Sequence, residues 1–282
     1  MLASRSIADD EIMAAHSIIA TTNAQSQLVS QANPPKKRKS MKRYFLLLAS
    51  LIVVSLCCRA VSSASENRTV VLFETTEGNI KISLSNLTPL HRDNFIRLVK
   101  AHFYDSLLFH RVIPNFMIQA GDPKSKHAEP GQMLGSGTLE YELPAEIHLP
   151  ELFHKRGAVA MARESDEVNP EHKSSSCQFY IVWGRTFSTA DVEKQRQRLA
   201  ALPNGGVEMT PEMVKAYRKT GGTPHLDGGY TVFGEVIEGL DVVDKIQKVY
   251  TDDYDRPVDD VRILRATVVE QMSVKTSYSR PK

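Results

Sequence analysis

Two polar side chains stand out in the apolar run 109–122, FHRVIPNFMIQAGD: the guanidinium of Arg111 and the carboxamide of Gln119. Two β-prone stretches flank Pro114-Asn115, so the pattern predicts strand, turn, strand. Residues two apart on a strand share a face, which aims Met117 and Gln119 the same way, with Arg111 meeting them from the neighbouring strand. A guanidinium stays charged and only donates hydrogen bonds, so any role for Arg111 is electrostatic and not that of a proton shuttle. A cation and an amide over an apolar floor suit a neutral ligand that is part hydrocarbon and part carbonyl, such as a prolyl peptide. The same residues also describe a half-buried strand whose arginine stem packs while its head reaches water.

Other chemistries lack their residues. His127, His148, His154 and His172 show no metal-ligand spacing and read as solvated loop histidines, so no metal or cofactor is expected. Gly135-Ser136-Gly137 has neither the preceding strand nor the following helix of a phosphate cradle. Cys177 has no basic or histidine neighbour to activate it and reads as a small packed residue. With 41% hydrophobic and 24% charged residues, the 282-residue chain is ordinary globular material. Residues 1–64 hold eight Lys or Arg against three Asp or Glu, so of 35 basic and 33 acidic residues 27 and 30 remain downstream, a net of −3. That balance gives no footprint for nucleic acid.

The elements that must position these groups follow from local pattern. Residues 69–75 and the alternation of Ile80, Ile82 and Leu84 predict a hairpin around Glu77-Gly78. Thr88-Pro89 reads as N-cap and first residue of a helix carrying Leu90, Phe95, Leu98 and Val99. Residues 123–156 predict long loops, 157–163 a strand of small residues, and 178–183 a strand with Gln178 and Tyr180 on one face and Phe179 and Ile181 on the other. Two helices are expected inside 185–223, one from Thr189 to about Leu202 and one from Thr210-Pro211 to Gly221-Gly222, docking through Leu199, Leu202, Met213, Val214 and Tyr217. A strand from Tyr230 to Ile237, a helix after Gly239 and a strand from Val261 to Val269 complete the domain, leaving 271–282 as a polar tail.

The beginning of the chain reads as a leader. Residues 1–40 are polar and irregular, and Met41-Lys42-Arg43 precedes an apolar run to Cys58 of signal-peptide length, short for a permanent span. Small residues at 62–64 predict cleavage with a mature start near Ser65, which makes the forty residues before Met41 look like an upstream-start artefact. The expected location is outside the cytoplasm, in the periplasm, with a membrane anchor only if Cys57 or Cys58 is lipidated. Lys36-Lys37-Arg38-Lys39 also fits a nuclear localisation signal, but the apolar run directly after it favours export.

The 109–122 run closely resembles the central signature of the cyclophilins, the peptidyl-prolyl cis-trans isomerases. Three further segments, GAVAMAR at 157–163, SCQFYI at 176–181 and HLDGGYTVFGEV at 225–236, resemble the same family in the same order, so the resemblance covers about residues 69–270. Its helical insertion aside, the domain expected over 65–270 is a mainly β, closed eight-stranded antiparallel barrel capped by two helices. A barrel of that size is filled by its own side chains, so a ligand must bind outside.

The resemblance implies that Arg111 and Gln119 are the catalytic pair and that Phe116, Met117, Tyr180 and Leu226 line a proline pocket. It further implies that backbone at Ala162 and Arg163 holds the peptide, that the glycine cluster borders the groove, and that Gln178, His225 and Tyr230 flank it. Many cyclophilins carry Asn, Phe, Trp and His where this chain has Arg163, Tyr180, His225 and Tyr230, and the missing tryptophan implies weak cyclosporin binding. The partners expected are proline-containing polypeptides, bound by a monomer that accelerates folding of exported proteins. The alternative is a chaperone that uses the same groove without catalysis.

Overall fold

The computed structural model describes residues 65–203 and 206–275. The expected leader, its cleavage site and both lipidation candidates lie outside these residues, as do 204–205 and 276–282. Eight strands form one antiparallel sheet: β1 (Ser65–Thr75), β2 (Gly78–Leu84), β3 (Phe109–Ile113), β4 (Met117–Ala120), β6 (Ala158–Met161), β8 (Phe179–Val182), β9 (Val232–Glu238) and β10 (Ile263–Lys275). Their order is β10-β1-β2-β9-β6-β8-β4-β3, and a short pair, β5 (Glu142–Leu143) with β7 (Ser174–Ser175), stands apart. β10 keeps its pairing with β1 as far as Lys275, beyond residue 270 where the polar tail was expected.

The sheet curls around an aromatic core. Phe73 stacks on Phe179 at 5.5 Å, Phe95 meets Phe179 edge-on at 5.3 Å, and Tyr104 and Phe233 close the cluster. Helix α1 (Pro89–Lys100) covers it with Phe95, Leu98 and Val99, and α4 (Leu240–Ile246) adds Val243 and Ile246. Filling of the interior by aromatic rings leaves ligands to the outer face.

The closed barrel expected from the strand count is corrected to a curled, open sheet. No ladder joins the edge strands β3 and β10. They touch at an isolated Leu108–Arg262 bridge and through Phe109 N–H to Val261 O (2.9 Å) and Ile263 N–H to Leu107 O (2.8 Å). The reason is where β3 runs: it meets the β10 side only near its first residue, and further along the Val112 N–H is taken by Asp255 O (2.8 Å) of the segment before β10.

Thr88 precedes α1 as expected but makes no side-chain cap. The carboxylate of Glu146 takes that role, accepting from Leu90 N (3.1 Å) and His91 N (2.9 Å) where the helix dipole favours an anion. In the insertion, Ser188 caps α2 (Thr189–Ala200) and Thr210 caps α3 (Pro211–Lys219) through Asp191 N and Met213 N. Val192, Leu199, Met213 and Tyr217 pack with Phe153 into a separate small core. The insertion leaves and returns at one point, where Gly222 N–H donates to Arg185 O at 3.1 Å.

Candidate functional site

A β-bulge aims the arginine. Phe109 pairs with Ala120 and Arg111 with Gln119, so two residues of β3 oppose one step of β4 and His110 is the extra residue. Strict alternation would send Phe109 and Arg111 to the same side. With the bulge, Phe109 and Val112 face the core while Arg111 joins the outer face.

On that face one register row crosses five strands. Arg111 pairs with Gln119, Gln119 with Tyr180, Tyr180 with Ala160, and Ala160 with Val232. Small alanines in β6 keep the row shallow, and Met117, Val182 and Val232 pack beside Tyr180 as an outer apolar cluster. Arg111 Nη1 donates to Gln119 Oε1 at 3.4 Å, and Gln119 Nε2 donates to Gln178 Oε1 at 2.9 Å. Arg111 Nε also lies 3.4 Å from Asp255 Oδ2, a pair in which both side chains are about half exposed (42% and 44%). The guanidinium therefore stays at the groove and is not drawn into an internal ion pair.

Of the eleven residues singled out by sequence, nine line one hollow of about 170 Å³: Arg111, Phe116, Met117, Gln119, Ala162, Arg163, Tyr180, Leu226 and Tyr230. Gln178 lines the adjoining hollow with the glycine loop, and His225 stands at the far rim, its ring stacked on Phe116 at 5.5 Å. Loss of hydration around His225 holds its pKa below the ordinary imidazole value, with repulsion from His154 and Arg198 adding to it. Burial raises the Tyr180 phenol well above its usual range, so its hydroxyl remains a donor.

The loop at 135–137 is held by protein groups. Asp122 accepts from Gly135 N (2.6 Å) and Gly137 N (3.2 Å), while Gln178 Nε2 donates to the carbonyls of Gly135 (2.8 Å) and Gly137 (2.7 Å). A carboxylate occupying those amides is incompatible with a phosphate there. Ala162 is also partly committed: its N–H donates to Gln178 O and its carbonyl accepts from Ser175 N. The Arg163 side chain is folded back, Nε donating to Gly229 O at 2.6 Å and the guanidinium covering the Tyr230 ring at 4.4 Å. Cys177 is buried, and that burial pushes its thiol pKa up, away from nucleophilic use.

His154 corrects the sequence reading of a solvated loop histidine. It is buried, its Nδ1 2.8 Å from Asp227 Oδ1 and its Nε2 3.0 Å from the Tyr180 hydroxyl. Asp227, Asp255, Asp122 and Glu146 were likewise not singled out as holding the site. The contacts of Asp227, Asp255 and Glu146 span many tens of residues of sequence, 73 between His154 and Asp227, while Asp122 reaches Gly135 and Gly137 over 13 and 15, and no strand or helix period carries any of them.

Comparison with known proteins agrees with the geometry. The family model for cyclophilin type peptidyl-prolyl cis-trans isomerases matches residues 70–268. A Staphylococcus saprophyticus protein bearing the name peptidyl-prolyl cis-trans isomerase is 32% identical over 206 residues, 72% of this chain and 93% of that protein. A longer Streptococcus pyogenes protein, named as a bifunctional phosphatase and peptidyl-prolyl cis-trans isomerase, is 34% identical over 203 residues, 70% of this chain and 38% of that protein. Among solved structures, a Cryptosporidium parvum cyclophilin type isomerase crystallised in the presence of the dipeptide Ala-Pro shares 21% identity. It covers 71% of this chain and 99% of its own, with a TM-score of 0.49.

Proposed function

Because this chain belongs to the cyclophilin type peptidyl-prolyl cis-trans isomerase family and is a peptidyl-prolyl cis-trans isomerase, we propose that Arg111 supplies its transition-state stabilisation. Rotation about an amide meets a barrier of about 18–20 kcal/mol because the nitrogen lone pair is delocalised into the carbonyl. Halfway through the turn that delocalisation is lost and the nitrogen becomes pyramidal and basic. A guanidinium that donates to this nitrogen favours the twisted state over either planar isomer, which is the differential binding that catalysis requires. Each tenfold acceleration needs about 1.4 kcal/mol, so one charge-assisted hydrogen bond is a useful share.

The observation that carries this reading is the register pair of Arg111 and Gln119 beside the Phe116, Met117, Tyr180 and Leu226 hollow. The proline ring sits in that hollow, Gln119 orients Arg111 and the substrate carbonyl, and the Arg163 backbone and Gln178 border the peptide. No bond to the protein forms and no proton moves. The basic and apolar run at 41–58 supports export to the periplasm and action on exported proteins, with Cys57 or Cys58 as sites for a lipid anchor. The mass and acylation state of the secreted form test that placement.

Arg111→Ala tests the chemistry. Isomerisation of a prolyl peptide, followed by a coupled protease assay, is expected to fall at least about a hundredfold while the fold is kept. Full activity in the variant would remove Arg111 from the mechanism. Suppression of client aggregation without any isomerisation by the wild type would favour the chaperone alternative.

A further inference from the structure

The wall of the proline hollow is tied to the helical insertion by buried polar contacts. Tyr217 of α3 is fully buried, and its hydroxyl donates to Asp227 Oδ2 at 2.5 Å. The other oxygen of Asp227 accepts from the His154 amide (2.9 Å) and meets His154 Nδ1 (2.8 Å). A carboxylate only accepts, so Nδ1 carries a hydrogen toward it, and Nε2 forms the next hydrogen bond with the Tyr180 hydroxyl at 3.0 Å. Hydrogen bonds therefore link Tyr180 to His154 and His154 to Asp227, and Tyr217 donates to the same carboxylate from the insertion. The His154 and Tyr180 rings lie nearly parallel, 14° apart, with their centroids 6.1 Å from each other. From α2, Arg198 Nη2 donates to the carbonyls of Pro224 (2.7 Å) and Asp227 (3.0 Å), the two ends of the short turn that presents His225 and Leu226.

We infer that Tyr217, His154 and Arg198 are positioning residues through which the inserted helices set the shape of the proline hollow. Burying this many polar groups is unfavourable unless each is satisfied, and here a single carboxylate satisfies a donor from the insertion and donors from the loop before β6. The arrangement also gives the Tyr180 hydroxyl a purpose that a phenylalanine at the same place would lack. The insertion thereby acts on substrate binding without touching substrate. The inference rests on the hollow being the proline site.

A double-mutant cycle on the full chain tests it, read both as kcat and KM for isomerisation and as Kd for a prolyl peptide. Tyr217→Phe is expected to raise KM and Kd about three- to tenfold with kcat held, and to lose that effect when combined with Tyr180→Phe. A role confined to stability would give the same fractional change in both backgrounds, or none, and either result overturns the inference. Thermal denaturation shows whether Tyr217→Phe folds. If it does not, Arg198→Gln, which frees the Pro224–Asp227 turn without disturbing the buried carboxylate, is expected to raise KM and Kd in its place. Unchanged values for Arg198→Gln would then overturn the inference. Wild-type chain that binds the peptide but does not isomerise it would sink the isomerase mechanism alone, since the Kd cycle still judges the brace.

Discussion

Phe109 and Val112 both enter the core although three positions separate them, and Arg111 between them does not. The bulge at His110 makes this possible, and it holds the guanidinium opposite Gln119. The arrangement asks for a planar fork, because one end meets Gln119 while the rest faces the hollow. Arg111→Lys keeps the charge and loses the fork. Its kcat/KM is expected to fall about 10- to 100-fold with the thermal midpoint unchanged, measured on the same prolyl peptide.

Asp255 sits 3.4 Å from Arg111 Nε, yet both side chains are open to water. Exposed ion pairs contribute about 0–1 kcal/mol, which corresponds to less than about a fivefold change in rate. Asp255→Asn is therefore expected to leave kcat/KM within that factor. A loss as deep as that of Arg111→Ala would show that Asp255 sets the arginine's position.

The bulge residue also makes the domain acid-sensitive. Burial pushes the pKa of His110 from 6.5 down to about 4. Between those values the unfolded chain holds a proton that the native chain refuses. Stability from this group is thus complete above about pH 6.5 and drains away as the pH falls toward 4, a loss on the order of 3 kcal/mol. His110→Gln is expected to flatten this slope in urea denaturation carried out at about pH 7 and about pH 4.5. His91 and His225, whose pKa values burial also lowers, stay in both proteins, so the difference isolates His110. An unchanged slope would show that His110 takes up its proton in the native state.

His225 offers a small polar ring at the rim, stacked on Phe116, where the resemblance to the family leads us to expect a tryptophan. Inhibition by cyclosporin is expected to need more than submicromolar drug, and His225→Trp to strengthen it about tenfold through added apolar contact, read by titration of isomerase activity. Submicromolar inhibition of the wild type would show that the rim does not govern drug affinity.

Part of the groove was legible from strand alternation, where a period of two assigns faces without knowledge of the partner strand, while Phe116, Ala162, Arg163, His225, Leu226 and Tyr230 lie outside the strands and came only from the resemblance. Met117, Gln119, Gln178 and Tyr180 follow that rule. Arg111 reaches its place by breaking it, and the only trace in the sequence is the spacing of Phe109 and Val112. His154 could not be read at all, since its burial depends on Asp227 and Tyr180 arriving from other segments. Closure was misjudged for a related reason. Counting strands gives their number, whereas closure depends on how far the two edges run side by side, and β3 turns its Val112 amide to Asp255 instead of continuing along β10.

The meeting of Arg185 and Gly222 has a consequence for how such a chain can change. A detour that begins and finishes at one spot places no strain on the sheet however long it grows, because the entropy of closing a loop rises only slowly with length. Its outer loops are free to drift. Tyr217 and Arg198 are not, and substitutions there should surface as altered taste for substrates in an otherwise intact curled sheet.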